Sequence, residues 1–588
     1  MKCINLKVSN FFLGTILFLS SFLAFLYVLK TGFFCWDDHA VVLNPSNTHI
    51  ALKNIILLFN TYQAGLFHPV TSFSFMIDHA AGNGNPVVFH LTNMLLHSMN
   101  TLLLFILLRR LTNHQLVAFV AALLWGVHPI HVESVAWITS RKDLLYTFFY
   151  FLSLLFYLEF VKNRSTRKYY VLSVVCFLLS SLSKLQAVTL PLILIYMDVF
   201  FLRKFNLKTI LEKVPFFLLC IPVVLMNYMA QQQYGYIAYG YSFSVFEKGF
   251  LILYAMAEYL VKIIYPYPLS IFYPYPFKPG STPHPYEIIV VGAFVSLLAV
   301  IFAFRRKIPK TVWFGIVFFL INAALVAFVS LNRESVIADR YAYLSSAGIL
   351  LILASFPGNS GTFIEKHKKY AYSLLFLYAG FLSITSVYRT LLWKNQENLF
   401  QSALIHFPKS EIILNTLATF GIEQGNFGEA REHLDQAIAF SPDYAQAFYN
   451  RGILNTKTGD LNQAITDFTA AIRLNPHYTD AFFARGTAYM KSNQWSLAEN
   501  DFSNVLTGHP DHFGALQNRA IVRGNIGDFQ GALQDLNAAV RIDPTVPSTF
   551  YLRGIALFEL GLDGCDDLQK ALDMGYVKSK EAIRHYCR

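Results

Sequence analysis

Hydrophobic and polar positions divide the 588-residue chain into two unlike parts. Long apolar runs separated by short charged segments continue to about Trp393, and a polar sequence follows. Apolar runs of about 20 residues suffice to cross a bilayer, so the pattern predicts an all-α membrane bundle of about 11–12 spans over residues 1–394. The runs, some short enough to be half-helices, lie near 11–30, 87–108, 115–131, 143–161, 169–183, 187–202, 214–230, 248–265, 286–304, 311–331, 341–356 and 370–391.

The polar part repeats with a period of 34 residues. The repeated positions are Pro408, Pro442, Pro476, Pro510 and Pro544, Ala430, Ala464, Ala498 and Ala532, and Leu434, Phe468, Phe502 and Leu536. This period is typical of tetratricopeptide repeats, whose helix pairs stack into a solenoid. The sequence predicts such a solenoid over residues 395–563 and a helical cap over 564–588. Cys565 and Cys587 flank a helix-length segment of the cap and are a candidate disulfide, which requires an oxidising compartment.

One arginine also recurs in each repeat, at Arg451, Arg485, Arg519 and Arg553. These guanidinium groups either line a binding face or pair with acids on neighbouring helices. Asp467, Asp501 and Asp535 recur in the same register. We favour the interpretation that the arginines form ion pairs within the solenoid framework.

Composition supports a multi-pass membrane protein, because 55% of residues are hydrophobic and only 14% are charged. The net charge of +11 reflects topology rather than a nucleic-acid partner, because the basic residues cluster in short loops between apolar runs. These loops, expected in the cytoplasm, are 109–110, 162–168, 203–208, 305–310 and 366–369. The basic loops all fall on the cytoplasmic side of successive spans if segment 248–265 does not cross the membrane fully. In that arrangement the repeats lie outside the cytoplasm. The first span is expected to remain as a signal anchor.

Asp37 and Asp38 follow the first span directly, on its outward side. Paired carboxylates there are candidates for a general base, a metal ligand or a cation-binding pair. Capping at the interface is the simpler alternative. His128-Pro129-Ile130-His131-Val132-Glu133 and Ser140-Arg141-Lys142-Asp143 lie on the same side, so acids and bases gather on one face. Arginine and lysine suit a phosphate group, whereas a carboxylate suits deprotonation of a hydroxyl.

Polar residues also lie inside the spans. His90, Asn93, His97 and Asn100 share one helical face, which favours inter-helix hydrogen bonding. No ligand spacing supports a structural zinc site. Lys184 and Asp339-Arg340 are further candidates, with mutual ion pairing or snorkelling as the alternative.

These motifs resemble those of membrane glycosyltransferases of the type-C fold, specifically the transmembrane and tetratricopeptide repeat-containing, O-mannosyltransferase-like family and its bacterial relatives. The resemblance covers nearly the whole chain. It rests on Trp36-Asp37-Asp38, His68-Pro69-Val70-Thr71, Phe89-His90-Leu91-Thr92-Asn93, His128 to Glu133, Ser140 to Asp143 and Ala338-Asp339-Arg340-Tyr341. Relatives usually read Tyr-Arg-Pro at Phe67-His68-Pro69 and Ser-Lys-Glu at Ser183-Lys184-Leu185. These departures bear on the substrate contacts expected of His68 and Lys184.

The resemblance implies transfer of a mannose-like sugar from a polyprenyl- or dolichyl-phosphate donor to a protein Ser/Thr or other hydroxyl on the extracytoplasmic face. The repeats would then bind an acceptor or partner protein. No glycine-rich phosphate loop is present, which agrees with a lipid rather than a nucleotide donor. The expected catalytic residues are Asp37, Asp38 and Glu133, and the expected substrate contacts are His68, His90, His128, His131, Arg141, Lys142, Asp143, Lys184, Asp339 and Arg340. No cofactor is certain, and a divalent cation held by Asp37 and Asp38 stays open.

Two other functions remain open from the residues alone. In the first, the membrane part is an inactive anchor for a repeat scaffold of envelope complexes. In the second it is a transporter, a class in which broken helices and buried charges also occur. The charges gathered on one face argue against the anchor, and the lack of visible two-fold symmetry argues against the transporter. We expect an integral membrane protein, in a bacterial inner membrane rather than the endoplasmic reticulum.

Overall fold

The computed structural model describes residues 9–34, 36–44, 47–63, 65–162, 167–199, 203, 206–233, 243–330, 335–359 and 367–587. Lys2, Lys7, Cys35, parts of the basic loops 162–168, 203–208 and 366–369, and the ends of the predicted spans 187–202 and 311–331 lie outside these residues. Within them every regular element is a helix, and the only β-pairing is one isolated bridge between Gln63 and Leu66. Contacts divide the chain into two units, residues 1–406 and 407–588.

The first unit contains eighteen of the described α-helices, with 3-10 helices between several of them. The α-helices are α1 (Asn10–Ala24), α2 (Asp38–Val41), α3 (Leu52–Leu58), α4 (Pro69–Gly82), α5 (Pro86–Thr112), α6 (Gln115–Gly126), α7 (Val132–Ala136), α8 (Arg141–Lys162), α9 (Arg167–Ser183), α10 (Leu190–Met197), α11 (Leu207–Leu211), α12 (Val214–Gln233), α13 (Val245–Ile264), α14 (Pro285–Ala303), α15 (Lys310–Ser330), α16 (Ser346–Asn359), α17 (Lys368–Leu392) and α18 (Gln396–His406). The 3-10 helices are Leu26–Lys30, Pro129–His131, Ile138–Ser140, Leu185–Thr189 and Asp339–Ala342.

Seven helices among the described residues are long and apolar enough to cross a membrane. A further pair, α6 with the segment Pro129–Ala136, bends by 49° and gives an eighth if it is one broken span. The predicted multi-pass helical bundle is therefore confirmed, with fewer full-length spans than the 11–12 expected. The difference has a local cause, because Leu185–Met197 and Ser346–Phe356 are apolar but short. The predicted span 248–265 falls on α13, which carries Glu247, Lys248, Glu258 and Lys262.

Helix ends and close contacts follow from local chemistry. Helix α5 begins where the Asn85 side chain accepts a hydrogen bond from the Val87 amide and Pro86 occupies the first turn. Helices α15 and α16 approach each other at two glycines, since a Cβ built on Gly315 would lie 2.4 Å from the carbonyl oxygen of Gly348. Small residues of this kind let membrane helices pack backbone to backbone.

The second unit is a solenoid of paired helices, as predicted. Its helices are α19 (Glu411–Gln424), α20 (Phe427–Phe440), α21 (Ala445–Thr458), α22 (Leu461–Leu474), α23 (Thr479–Lys491), α24 (Trp495–Gly508), α25 (Phe513–Asn525), α26 (Phe529–Ile542), α27 (Pro547–Glu559), α28 (Cys565–Asp573) and α29 (Ser579–Tyr586). The recurring alanines and aromatic residues are buried between helices, among them Ala464, Phe468, Ala498 and Phe502. A disulfide joins Cys565, the first residue of α28, to Cys587, just after α29.

The recurring arginines form ion pairs inside the solenoid. Arg485 Nε and Nη2 each donate to an Asp501 carboxylate oxygen at 2.8 Å. Asp501 is buried, and the pair lies in one repeat between α23 and α24. Arg451 with Asp467, Arg519 with Asp535 and Arg553 with Asp567 repeat this geometry. These contacts support the framework interpretation of the arginines.

Removing one arginine tests this framework role. Arg485→Ala leaves the buried Asp501 carboxylate without its partner, so we expect the local free energy of unfolding to fall by about 3 kcal/mol. Hydrogen exchange of α23 and α24 peptides in the purified chain measures this loss. Arg541→Ala is the matched control, because Arg541 is exposed and has no ion pair in the described structure. Arg485→Met combined with Asp501→Leu should restore most of the protection, and unchanged exchange in Arg485→Ala would contradict the assignment.

Candidate active site

A partly open cavity lies in the first unit. It forms where the segment before α4, the break between α9 and α10, helices α12 and α15, and the 3-10 helix Asp339–Ala342 come together. Its lining residues are Asp37, Leu66, Phe67, His68, Trp137, Lys142, Ser183, Lys184, Leu185, Gln186, Asn227, Gln231, Val326, Val329, Arg340 and Tyr341. Its lining includes polar and charged side chains as well as apolar ones.

Five of the predicted site residues line this cavity: Asp37, His68, Lys142, Lys184 and Arg340. They come from five separate segments of the sequence. The fold therefore gathers one carboxylate, one imidazole and three cationic side chains around a common space. Such a set can hold an anion and accept a proton in the same site.

Two of the three cations have a carboxylate partner behind the cavity wall. Lys184 pairs with Asp143, and the Arg340 guanidinium pairs with Glu133. The backbone amide of Arg340 also donates to Glu133 Oε2 at 2.9 Å. Asp143 and Glu133 are buried and do not line the cavity, so their contacts are with the cations rather than with the cavity space.

Lys142 is different from the other two cations. Its side chain is 9% exposed and makes no hydrogen bond or ion pair with any described residue. Its ammonium lies 6.0 Å from the centre of the Trp137 ring, and Arg340 approaches the same ring at 5.0 Å. Cation–π attraction partly offsets the loss of hydration. Lys142 thus brings to the cavity a positive charge that no carboxylate contacts directly.

The two neighbouring aspartates have different environments. Asp37 lines the cavity, and no described residue hydrogen-bonds its carboxylate. Asp38 is fully buried, and its two oxygens accept hydrogen bonds from the backbone amides of Phe34 at 2.7 Å and Thr139 at 3.0 Å. Burial raises the pKa of Asp38 from 3.8 to about 6, opposed by those two amides. Of the expected catalytic pair of carboxylates, only Asp37 therefore lines the cavity.

A metal site was left open for Asp37 and Asp38. Within the part of the chain that the structure describes, no group of three or more His, Cys, Asp or Glu side chains lies together as a metal site requires. Both carboxylate oxygens of Asp38 already accept hydrogen bonds from backbone amides. The residues present therefore do not form a cage around a cation.

Arg141 does not line the cavity, although the sequence places it beside Lys142. It is fully buried and pairs with Asp78. Its Nε donates to Asn93 Oδ1 at 2.7 Å, and Nη2 donates to the Phe89 carbonyl at 2.8 Å. Its donors are thus used within the helix bundle, and the expected phosphate contact by Arg141 is not available in this geometry.

Three predicted histidine contacts also lie elsewhere. His90 Nε2 lies 2.8 Å from the Thr31 hydroxyl, and His128 Nε2 donates to the Ile263 carbonyl at 2.9 Å. His131 Nδ1 donates to the Trp125 carbonyl at 2.9 Å. These side chains are buried and connect helices rather than lining the cavity.

The break after α6 provides backbone carbonyls that two of the buried histidines, His97 and His131, bind. Helix α6 ends at Gly126, so its last carbonyls lose their partners within the helix. The Gly126 carbonyl accepts a hydrogen bond from His97 Nε2 at 2.9 Å, and the Val127 carbonyl accepts one from the Ser386 hydroxyl at 2.7 Å. The polar stripe on α5 therefore serves inter-helix hydrogen bonding, as favoured from its spacing.

Asp339 is buried directly before Arg340 but does not line the cavity. Its Oδ1 accepts a hydrogen bond from the Tyr273 hydroxyl at 2.6 Å, and Arg389 Nη2 lies 3.4 Å from Oδ2. Burial raises the pKa of this carboxyl. Asp339 thus fixes the position of the segment that carries Arg340.

Several lining residues were missed from the sequence. Asn227 and Gln231 lie on α12 four residues apart, so they share a helical face and form a polar stripe like the one noticed on α5. The four-residue spacing of Asn227 and Gln231 could therefore have indicated these two residues from the sequence. Trp137, Ser183 and Gln186 carry no comparable pattern, because their positions in the cavity depend on how distant segments pack.

Comparison with known proteins agrees with this architecture. A family profile described as dolichyl-phosphate-mannose-protein mannosyltransferase matches residues 69–230. Tetratricopeptide repeat profiles match residues 422–459, 445–478 and 483–547. Both predicted parts of the chain therefore have a matching family.

Curated relatives match part of this chain. Protein O-mannosyl-transferase TMTC2 from Homo sapiens is 34% identical over 197 residues, which cover 31% of this chain and 23% of the relative. Protein O-mannosyl-transferase F38B6.6 from Caenorhabditis elegans is 26% identical over 397 residues, which cover 65% of this chain and 54% of the relative. The matched regions thus span between about a quarter and about half of these relatives' lengths.

Solved structures of two repeat proteins are similar to part of this chain. The crystal structure of YrrB, titled a TPR protein with an unusual peptide-binding site, matches with a TM-score of 0.30 and 21% identity, covering 32% of this chain and 97% of that one. MamA from Desulfovibrio magneticus RS-1 matches with a TM-score of 0.26 and 19% identity, covering 30% of this chain and 96% of that one.

The mannosyltransferase profile, the repeat profiles and the names of the curated relatives all indicate the same family. The family expected from the sequence motifs is therefore confirmed as the one this chain resembles, the transmembrane and tetratricopeptide repeat-containing protein O-mannosyl-transferases.

Proposed function

We propose that the first unit transfers a mannose-like sugar from a polyprenyl- or dolichyl-phosphate donor to a hydroxyl group of a protein serine or threonine. One observation carries this proposal: a cavity between membrane helices combines a free carboxylate, Asp37, with three cations, of which Lys142 has no partner in the described structure. The family profile over residues 69–230 supports the same donor class.

The charges suit the departure of a lipid phosphate. A sugar phosphodiester carries one negative charge, and the released phosphate monoester gains a second as the sugar–oxygen bond breaks. Lys142 supplies an unpaired positive charge, and Lys184 and Arg340 are held in place by their carboxylate partners. Fixed cations at the position where charge develops stabilise the transition state more than the ground state.

Asp37 is the general base in this mechanism. The acceptor hydroxyl gives its proton to the Asp37 carboxylate while its oxygen bonds to the anomeric carbon of the sugar. The bond from that carbon to the phosphate oxygen breaks, and its electron pair stays on the phosphate. One displacement of this kind inverts the configuration at the anomeric carbon. Glu133 has no direct part, because it holds Arg340.

The apolar residues that line the cavity suit a lipid donor. Leu66, Phe67, Val326 and Val329 line it, and the valines lie on the membrane helix α15. An isoprenoid chain there remains among apolar groups while its phosphate reaches the cations. This combination also argues against an inert anchor, which has no need of an unpaired buried lysine.

The remaining aspects of the function follow the sequence pattern. We propose that the repeats lie outside the cytoplasm and bind the acceptor or a partner protein, in a bacterial inner membrane rather than the endoplasmic reticulum. The basic loops favour this orientation by the positive-inside rule. The disulfide between Cys565 and Cys587 supports an oxidising compartment for the repeats.

Substitution of Asp37 tests the base. We expect Asp37→Asn to lower the transfer rate by about 10²–10⁴-fold, because the amide cannot accept the proton. Transfer of radiolabelled sugar from polyprenyl-phosphate mannose to a serine- and threonine-containing acceptor measures this rate. Asp511→Asn, at an exposed position in the repeats, is the matched control. Wild-type transfer by Asp37→Asn would reject the assignment, and no transfer by the wild type with any lipid-linked sugar would reject the proposed function.

Substitution of Lys142 tests the phosphate contact. Lys142→Met keeps the length and packing of the side chain but removes its charge, so we expect kcat/KM to fall by about 10²–10³-fold. The same transfer assay at varied donor concentration separates kcat from KM. Lys53→Met is the control, since Lys53 is exposed. A kcat/KM within twofold of the wild type would exclude Lys142 from the site.

Asp38 has a structural role that pH can reveal. Its pKa is raised to about 6 in the folded protein, so the folded state holds this proton more tightly than the unfolded state. Its contribution to stability therefore falls as pH rises from about 4 to about 6. Thermal unfolding in detergent should show this dependence in the wild type and lose it in Asp38→Asn.

Asp38→Asn should also be less stable than the wild type at about pH 4, where the Asp38 carboxyl is protonated in the folded protein. Its amide group then faces one of two backbone N–H donors, so we expect a loss of about 1–3 kcal/mol. Asp37→Asn serves as the control, because no described residue hydrogen-bonds Asp37. Equal melting temperatures for the two variants would contradict the distinction between these aspartates.

A further inference from the structure

A chain of hydrogen bonds fixes the orientation of His68 in the cavity wall. It starts at the Val41 carbonyl, which accepts a hydrogen bond from Asn47 Nδ2 and so fixes the orientation of the Asn47 amide. Asn47 Oδ1 then accepts from Gln63 Nε2 at 3.0 Å. The Gln63 amide is thereby oriented too, with its Oε1 available as an acceptor.

Ser72 transmits this orientation to His68. The Ser72 hydroxyl donates its single proton to Gln63 Oε1 at 2.7 Å. Ser72 Oγ also lies 3.2 Å from His68 Nδ1. Since the hydroxyl proton is already used, Ser72 Oγ is the acceptor in this second contact and His68 Nδ1–H is the donor. The network therefore selects the tautomer of His68 that carries its proton on Nδ1.

The other ring nitrogen then has a lone pair. In the described structure no residue hydrogen-bonds His68 Nε2, although the ring is 6% exposed and lines the cavity. Burial and the nearby Lys142 lower the pKa of His68 to about 4, so the ring is uncharged at neutral pH. A neutral acceptor does not bind the oxygens of a phosphodiester, which carry no hydrogen. It needs a ligand that donates one.

Two ligand groups in the proposed reaction carry hydroxyl hydrogens. The acceptor hydroxyl has a single hydrogen, which Asp37 removes, so it cannot also donate to His68. The hydroxyls of the donor sugar keep theirs. We propose that His68 Nε2 accepts a hydrogen bond from one hydroxyl of the donor sugar and so determines which sugar the cavity takes. This inference rests on the proposed transferase function and adds a specificity-determining residue to it.

Deoxy sugars test this contact. Transfer is measured for polyprenyl-phosphate mannose and for each of its monodeoxy analogues, with wild type, His68→Phe, His68→Gln and Ser72→Ala. We expect the wild type to use one analogue about tenfold or more less efficiently than mannose, through the lost hydrogen bond. His68→Phe should use mannose and that analogue at similar, lowered rates, because it lacks the acceptor that distinguishes them. A double-mutant cycle over the enzyme and substrate changes should therefore show strong coupling.

Ser72→Ala separates positioning from packing. It leaves the imidazole in place but frees its tautomer, so we expect a weaker preference between mannose and the same analogue, with a smaller loss of rate than in His68→Phe. His284→Phe is the control, because His284 is exposed and outside the cavity. Elution as a single species in size-exclusion chromatography checks that each variant is folded, and His68→Gln, which retains polar groups, replaces His68→Phe if the latter aggregates.

The outcomes are distinct. Wild-type transfer with full preference for mannose in all folded His68 variants would overturn the inference and leave the proposed function intact. Equal use of mannose and every analogue by the wild type would also overturn it. No transfer by the wild type from any lipid-linked sugar would overturn the proposed function, and this inference with it.

Discussion

Within the first unit, a polar group buried away from water is costly unless it has a partner, and this constraint governs much of the structure. The break after α6 is the clearest case, because the exposed carbonyls of Gly126 and Val127 are satisfied by His97 and Ser386 from two other helices. A broken span is then possible without unpaired backbone. The break in turn lets the following segment carry Glu133 and Trp137 toward the cavity.

The same constraint separates the charged residues into two classes. Arg141, which does not line the cavity, is held by the buried Asp78 carboxylate, as a bundle interior requires for a charge without water. Asp37 and Lys142 lie in the cavity without a direct partner in the described structure. An unpaired charge destabilises a fold, so its retention at a cavity indicates a function rather than packing. This difference, rather than the number of charges, supports the proposed site.

The sequence predicted the larger features because they depend on local pattern. Apolar runs and the 34-residue period require no knowledge of distant contacts, and both parts of the fold followed from them. Ion pairing of the repeat arginines was also predictable from register. The roles of Arg141 and Lys142 were not, since adjacent residues on a helix point in different directions and only the packed bundle shows which one meets Asp78. Asp38 differs from Asp37 for the same reason.

A site assembled from distant segments also limits how its chemistry can change. Asp37 and Lys142 are positioned by the backbone around them, whereas Arg340 depends on Glu133 and on the neighbouring Asp339, which in turn contacts Tyr273. Substituting one of these supports would move the cation without touching the cavity itself. His68 depends in the same way on Ser72 and Gln63. The cation proposed to contact phosphate and the acceptor proposed to contact sugar are thus held by separate networks, so on this proposal sugar preference can vary while the phosphate contacts remain.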